Sequence, residues 1–138
     1  MPKQQMAWVY SPTKVAKPKI SASVKAEVEQ QAQTLIDTVL KPKYIKPAPP
    51  GAQFNYIVDL SCKWHGRYFY FISKYASPGP NAISPFFEAK FARLECIDGR
   101  RRFNLAYMRY TNEWIEIYPD LTVAECLAAI KDDPVFQP

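Results

Sequence analysis

Phe87-Glu88-Ala89-Lys90-Phe91-Ala92-Arg93-Leu94-Glu95-Cys96-Ile97 and Arg102-Phe103-Asn104-Leu105-Ala106-Tyr107-Met108-Arg109-Tyr110, joined through Asp98-Gly99, decide the fold of this chain. Asp-Gly accommodates the positive φ angles of a tight turn, and the runs on both sides are rich in aromatic and apolar residues, so the segment reads as a β-hairpin. Thr111-Asn112 gives a second tight turn into a strand over 113–118. Upstream, Arg67 to Tyr75 is so dense in aromatics that neither face is clearly polar, the mark of a central strand. Before it, Phe54, Tyr56, Val58, Leu60 and Cys62 alternate with Asn55, Ile57, Asp59 and Ser61. A period of two places the first set inward and the second mostly toward water. Lys63-Trp64-His65-Gly66 is the turn between these two strands, with glycine supplying positive φ, and Ser77-Pro78-Gly79-Pro80-Asn81 is a loop.

The segments outside this meander are helical. Val24, Val28, Ala32, Leu35, Val39 and Leu40 recur at helical spacing from Ser21 to Lys41, with Ser21 or Ser23 as N-cap and Pro42 as the stop. Thr122 and Glu125 form a capping box that opens a last helix, in which Val123, Leu127 and Ile130 make the apolar stripe and Pro134 ends propagation. The expected architecture is therefore α+β: about five antiparallel strands in a meander, with helices near 22–41 and 122–132 packed on one face. Residues 1–20 hold lysines and prolines and read as an extended arm carrying the apolar patch Trp8-Val9-Tyr10, and residues 21–138 read as a single domain.

Composition narrows the function. The 138 residues are 48% hydrophobic and 22% charged, as in ordinary globular domains. No run approaches the about 20 apolar residues of a membrane span, and the first residues carry no export signal, so a cytoplasmic protein without membrane contact is expected. The net charge of +5 resides in residues 1–50, where eight lysines face three carboxylates. Cys62, Cys96 and Cys126 are odd in number and widely spaced, so reduced thiols are expected, and one histidine, His65, cannot complete a zinc set. Four isolated glycines build no phosphate loop, and a lone turn histidine supports no Cys-His or Ser-His catalysis, so neither a cofactor nor a metal is expected.

From Phe86 to Phe136 the order of features is itself informative: Ala89-Lys90 opening a strand, Phe103-x-Leu105-x-Tyr107-Met108-Arg109, then Trp114, then a capped helix ending in Asp133-Pro134-Val135-Phe136. This succession resembles a small uncharacterised bacterial family, the one numbered three thousand and twenty-four among the domains of unknown function. The helix, proline break and first strands fall where that family has them, over residues 22–136. Thr111-Asn112-Glu113 replace its charged stretch before the tryptophan, and its C-terminal glycine is missing. The resemblance implies a fold without an assigned activity, and no functional residue follows from it.

Three chemistries compete. Glu88 and Lys90 share a strand face and, with Asp59, match the acid-acid-lysine pattern of metal-dependent nucleases, but Glu-x-Lys is also an ordinary solvent-facing pair. Aromatics interleaved with arginine, at Trp64, Arg67, Tyr68, Tyr70, Arg93, Arg102, Tyr107, Arg109 and Tyr110, with Trp114 close by, suit a single-stranded nucleic-acid platform. The same residue types carry protein-interface energy, and an antiparallel sheet with helices on one face leaves the other face free. The sequence is therefore read first as a non-catalytic module that binds a protein partner or forms a homodimer, with nucleic-acid binding as the alternative and a nuclease more remote.

Overall fold

The computed structural model describes residues 19–48, 50–97 and 101–138. The proposed arm with Trp8-Val9-Tyr10 and the Asp98-Gly99 turn lie outside the described residues. The elements run α1 (Ala22–Leu35), a π turn (Ile36–Leu40), α2 (Lys41–Tyr44), β1 (Tyr56–His65), β2 (Tyr68–Ala76), β3 (Phe86–Cys96), β4 (Phe103–Met108), β5 (Trp114–Leu121) and α3 (Val123–Asp132), closed by a 3-10 turn (Pro134–Phe136). The five strands form one antiparallel sheet in the order β1-β2-β3-β4-β5, the expected meander. Every neighbouring pair is also consecutive in the chain, so each pairing closes a short loop at low entropic cost.

The Thr111-Asn112 turn lies where expected, whereas the β1–β2 turn is shorter than Lys63-Trp64-His65-Gly66: Lys63, Trp64 and His65 belong to β1, and only Gly66 and Arg67 connect the strands. His65 pairs with Tyr68 around Gly66, whose φ is 62°, and Asn112 takes φ 66° between β4 and β5, where its N–H donates to the Arg109 carbonyl at 2.9 Å. Strands β3 and β4 pair through Cys96 and Phe103, and the Ile97 N–H donates to the Arg102 carbonyl at 2.9 Å beyond them.

Both helices contribute to one core against one face of the sheet. Val24, Val28, Ala32, Ile36 and Leu40 from the first helical segment and Cys126 and Ile130 from α3 are buried with Leu60, Phe69, Phe71, Phe91, Leu94, Phe103, Leu105 and Phe136. Ser21 caps α1 by accepting from the Val24 N–H at 3.2 Å, and Thr122 and Glu125 form the expected reciprocal capping box on α3. The hydrogen bonds to Thr122 hold the Glu125 carboxyl below its usual range.

Two readings of the sequence are corrected. The first helix does not stop at Lys41: it runs through Pro42 to Tyr44 by way of the π turn, in which the Lys41 N–H donates to the Ile36 carbonyl. An i→i+5 turn just before a proline rearranges the carbonyls that its ring would strike and its absent N–H would have served. The buried stripe accordingly includes Ile36, while Leu35 and Val39 flank it half-buried. Strand β1 also changes phase, because its pairing with β2 skips a residue between Ile57 and Asp59. This bulge puts Ile57 against the core beside Leu60, Cys62 and Trp64, whereas Phe54 is exposed and Tyr56 and Val58 leave the core cluster.

Candidate functional site

No helix among the described residues packs on the second face of the sheet, and register assigns its residues. One row runs Lys63-Tyr70-Arg93-Ala106-Glu116 across all five strands, and a neighbouring row holds His65, Tyr68, Glu95 and Asn104. Trp114 pairs with Met108 beside them. A second bulge, where Phe71 pairs with Ala92 and Ile72 with Lys90, rotates Phe91 into the core and brings Lys90 onto the open face.

These residues form a stacked cluster. The Arg93 guanidinium lies over the Tyr68 ring at 4.6 Å and over the Trp114 ring at 4.9 Å. Tyr70 stands 5.8 Å from Trp114 and 6.1 Å from Tyr68 between ring centroids, and the Lys90 ammonium sits 4.4 Å over Tyr70. Cation–π contacts of this kind are worth about 0.5–1 kcal/mol each where exposed and more where desolvated. Tyr70 and Ile72 are buried on this nominally open face, Tyr70 beneath Lys90. The Arg93 Nε is shut off from solvent without a hydrogen-bond partner, and among the described residues no carboxylate pairs with Arg93. The acid two residues away, Glu95, lies 3.8 Å from the Arg67 Nε instead.

Of the residues singled out in the sequence, Tyr68, Tyr70, Arg93 and Trp114 are brought together here. Trp64 and Tyr107 face the helices. The Trp64 indole Nε1–H donates to the Lys25 carbonyl at 3.1 Å with its ring 5.1 Å from Phe69, and Tyr107 packs edge-on against Phe136 at 6.4 Å. Arg67 occupies the β1–β2 turn and donates to the Cys96 carbonyl at 3.3 Å. Arg102 is paired with Asp120 at 3.0 Å, which raises its pKa further, and Arg101 is 3.1 Å from Glu27 on α1. Arg109 and Tyr110 lie in the β4–β5 turn, Tyr110 fully presented to solvent with the guanidinium 5.9 Å from its ring. Lys90 and Lys63 are additions to the site, and Lys90 joins Arg93 on one face only because of the bulge between them.

The acid-acid-lysine pattern is spread out rather than gathered. Asp59 pairs in register with Lys74, and Lys74 with Glu88, so a strand and its lysine separate the two acids. Asp59 lies 3.5 Å from Lys41 of α2, and among the described residues no three His, Cys, Asp or Glu side chains are grouped to hold a metal.

The thiols face inward. Burial, with Glu29 and Asp37 nearby, pushes Cys62 up to about 11, and burial beside Glu125 pushes Cys126 up to about 12, while Cys96 is fully buried. Raised in this way, the Cys62 and Cys126 thiols stay protonated at pH 8. A chromogenic disulfide reagent is expected to titrate three thiols at once in denaturant and to react at least about a hundredfold more slowly with the native protein.

An antiparallel five-stranded meander with helices on one face and a stacked cation-aromatic cluster on the other defines an α+β protein. The chain belongs to the family of a domain of unknown function (DUF3024), whose model matches residues 20–138. No curated protein and no solved structure matches it. No helix among the described residues is long and apolar enough to cross a membrane.

Proposed function

We propose that this chain is a non-catalytic protein-binding module of the cytoplasm whose partner, another protein or a second copy, docks on the open face of the sheet. The observation that supports this reading is the stack of Tyr68, Arg93 and Trp114, with Tyr70 and Lys90 beside it: large side chains, fixed by one another in advance, lose little entropy on association. The reduced thiols of Cys62 and Cys126 suit a reducing compartment. A nucleic-acid platform needs ring faces open to bases, whereas Tyr68, Tyr70 and Trp114 each carry a cation on a face.

A fluorescent mixed-sequence single strand titrated at two salt concentrations, beside a light-scattering mass, tests the choice. The expected outcome is no salt-sensitive binding. A log–log salt dependence corresponding to more than about three phosphate contacts, at about −0.7 each, would transfer the face to single-stranded nucleic acid. Cleavage that requires a divalent metal and disappears in Glu88→Ala would make the protein a nuclease.

A further inference from the structure

The open face contains an arginine that no carboxylate among the described residues pairs. Arg93 is held flat between two rings, with Nε buried and unpartnered, and the register seats uncharged Tyr70 and Ala106 directly on either side of it. Two more cations flank it: Lys63 in the same row, and Lys90 over Tyr70. A guanidinium clamped in one plane is suited to a bidentate carboxylate, since its donors are already oriented. Its Nε is closed to solvent, so an incoming carboxylate meets the terminal Nη groups, which the stack on Tyr68 and Trp114 holds in place.

We propose that Arg93 receives a single carboxylate side chain from an otherwise neutral segment of another protein, with Lys63 and Lys90 framing it; this rests on the protein-binding reading above. The charges around the cluster set the size of that footprint. Glu95 stands beside Arg93 on β3 and Glu116 ends the row on β5, so the positive region is one anion wide and a continuous run of phosphates would meet both acids. A two-fold axis passing through Arg93 would set cation toward cation, which disfavours a dimer centred on the cluster.

The test uses the full chain labelled with nitrogen-15, following the Nε–H of Arg93 and the indole N–H of Trp114. The probes are a serine-glycine decapeptide with one central glutamate and the same peptide with glutamine, both N-acetylated and C-amidated so that the glutamate is the one carboxylate. Both signals are expected to move saturably with the glutamate peptide, with the glutamine peptide at least about tenfold weaker, the difference a charged hydrogen-bonded pair typically makes. Arg93→Gln, with its amide spectrum checked for folding, should abolish the Trp114 response. Lys90→Gln, an exposed change that the fold tolerates, should weaken binding about threefold, and Lys131→Gln on α3 should leave it unchanged. If both peptides move Trp114 equally, protein binding at this face stands and the carboxylate site falls. If dimerisation is what moves these signals, the occupant is a second copy and the inference falls while the broader reading stands. If an oligonucleotide binds more tightly than either peptide, both fall, and if no probe moves either signal, the carboxylate site is overturned.

Discussion

Phe136→Ala is expected to lower the free energy of unfolding by about 3–4 kcal/mol, as large a loss as any single truncation in the sheet. Phe136 is the third residue from the end of the chain, yet it is 1% exposed, belongs to the central core and meets Tyr107 edge-on. Its position is built by the residues before it. Asp133 ends α3 and accepts from the Val135 N–H at 3.2 Å, and its other carboxyl oxygen accepts the Tyr118 hydroxyl proton at 2.6 Å, which ties the turn to β5 and holds that phenol protonated above its ordinary range. The 3-10 turn then directs Phe136 back under β4, leaving Val135 exposed. Truncating the ring leaves a cavity that the sheet fills poorly, and a protein of this size has only about 5–15 kcal/mol of stability to lose. Urea unfolding curves for Phe136→Ala and Val135→Ala make the comparison, the second variant shifting by no more than about 0.5 kcal/mol. Equal effects would mean that the last turn is not docked.

Trp64→Ala is expected to destabilise by about 3 kcal/mol and to leave ligand binding at the open face intact, whereas Trp114→Ala should do the reverse. Both tryptophans sit on strands among tyrosines and arginines, and composition treats them alike. Trp64 closes the gap between β1 and α1: its ring packs on Phe69, its indole N–H satisfies the Lys25 carbonyl, and the Lys25 ammonium lies 5.7 Å over it. Removing it opens a void and weakens the docking of the helix at its first turns. Trp114 instead covers one side of Arg93 at the surface, so its loss frees the guanidinium without emptying the core. Thermal melts of the two variants, beside the peptide titration, separate the roles. A Trp64 variant that unfolds normally but no longer binds would place the functional face among the helices.

Local signals carried the fold. Glycine in the β1–β2 turn, asparagine in the β4–β5 turn, the Thr122–Glu125 box and the aromatic density of β2 each act over a few residues, and each held. The site was legible only in composition. Which strand residues share a face depends on parity, and parity is reset by bulges that arise from pairing between distant segments. Arg93 and Lys90 are an odd number of residues apart, so strict alternation sends them to opposite faces; the displaced Phe91 reunites them. Trp64 and Tyr70 are an even number apart and nevertheless face opposite ways, because the two-residue loop at Gly66 intervenes. The same reasoning separates Arg102 from Arg93, which no carboxylate among the described residues pairs, since Asp120 is brought to Arg102 only by the β4–β5 register.

The widened turn in the first helix works as a vernier. Val24, Val28, Ala32, Ile36 and Leu40 repeat every four residues, and in a regular α-helix each such step overshoots a full turn by about 40°, so the stripe would spiral away from the sheet before reaching Leu40. The turn over Ile36–Leu40 takes more residues per revolution, so the step from Ile36 to Leu40 falls short of a full turn and recovers part of that drift. Spacing and turn are thus two scales ruled to match. A lineage that lengthened or shortened this segment by one residue would have to recut the whole apolar stripe with it, so the four-residue rhythm and Pro42 should be inherited together.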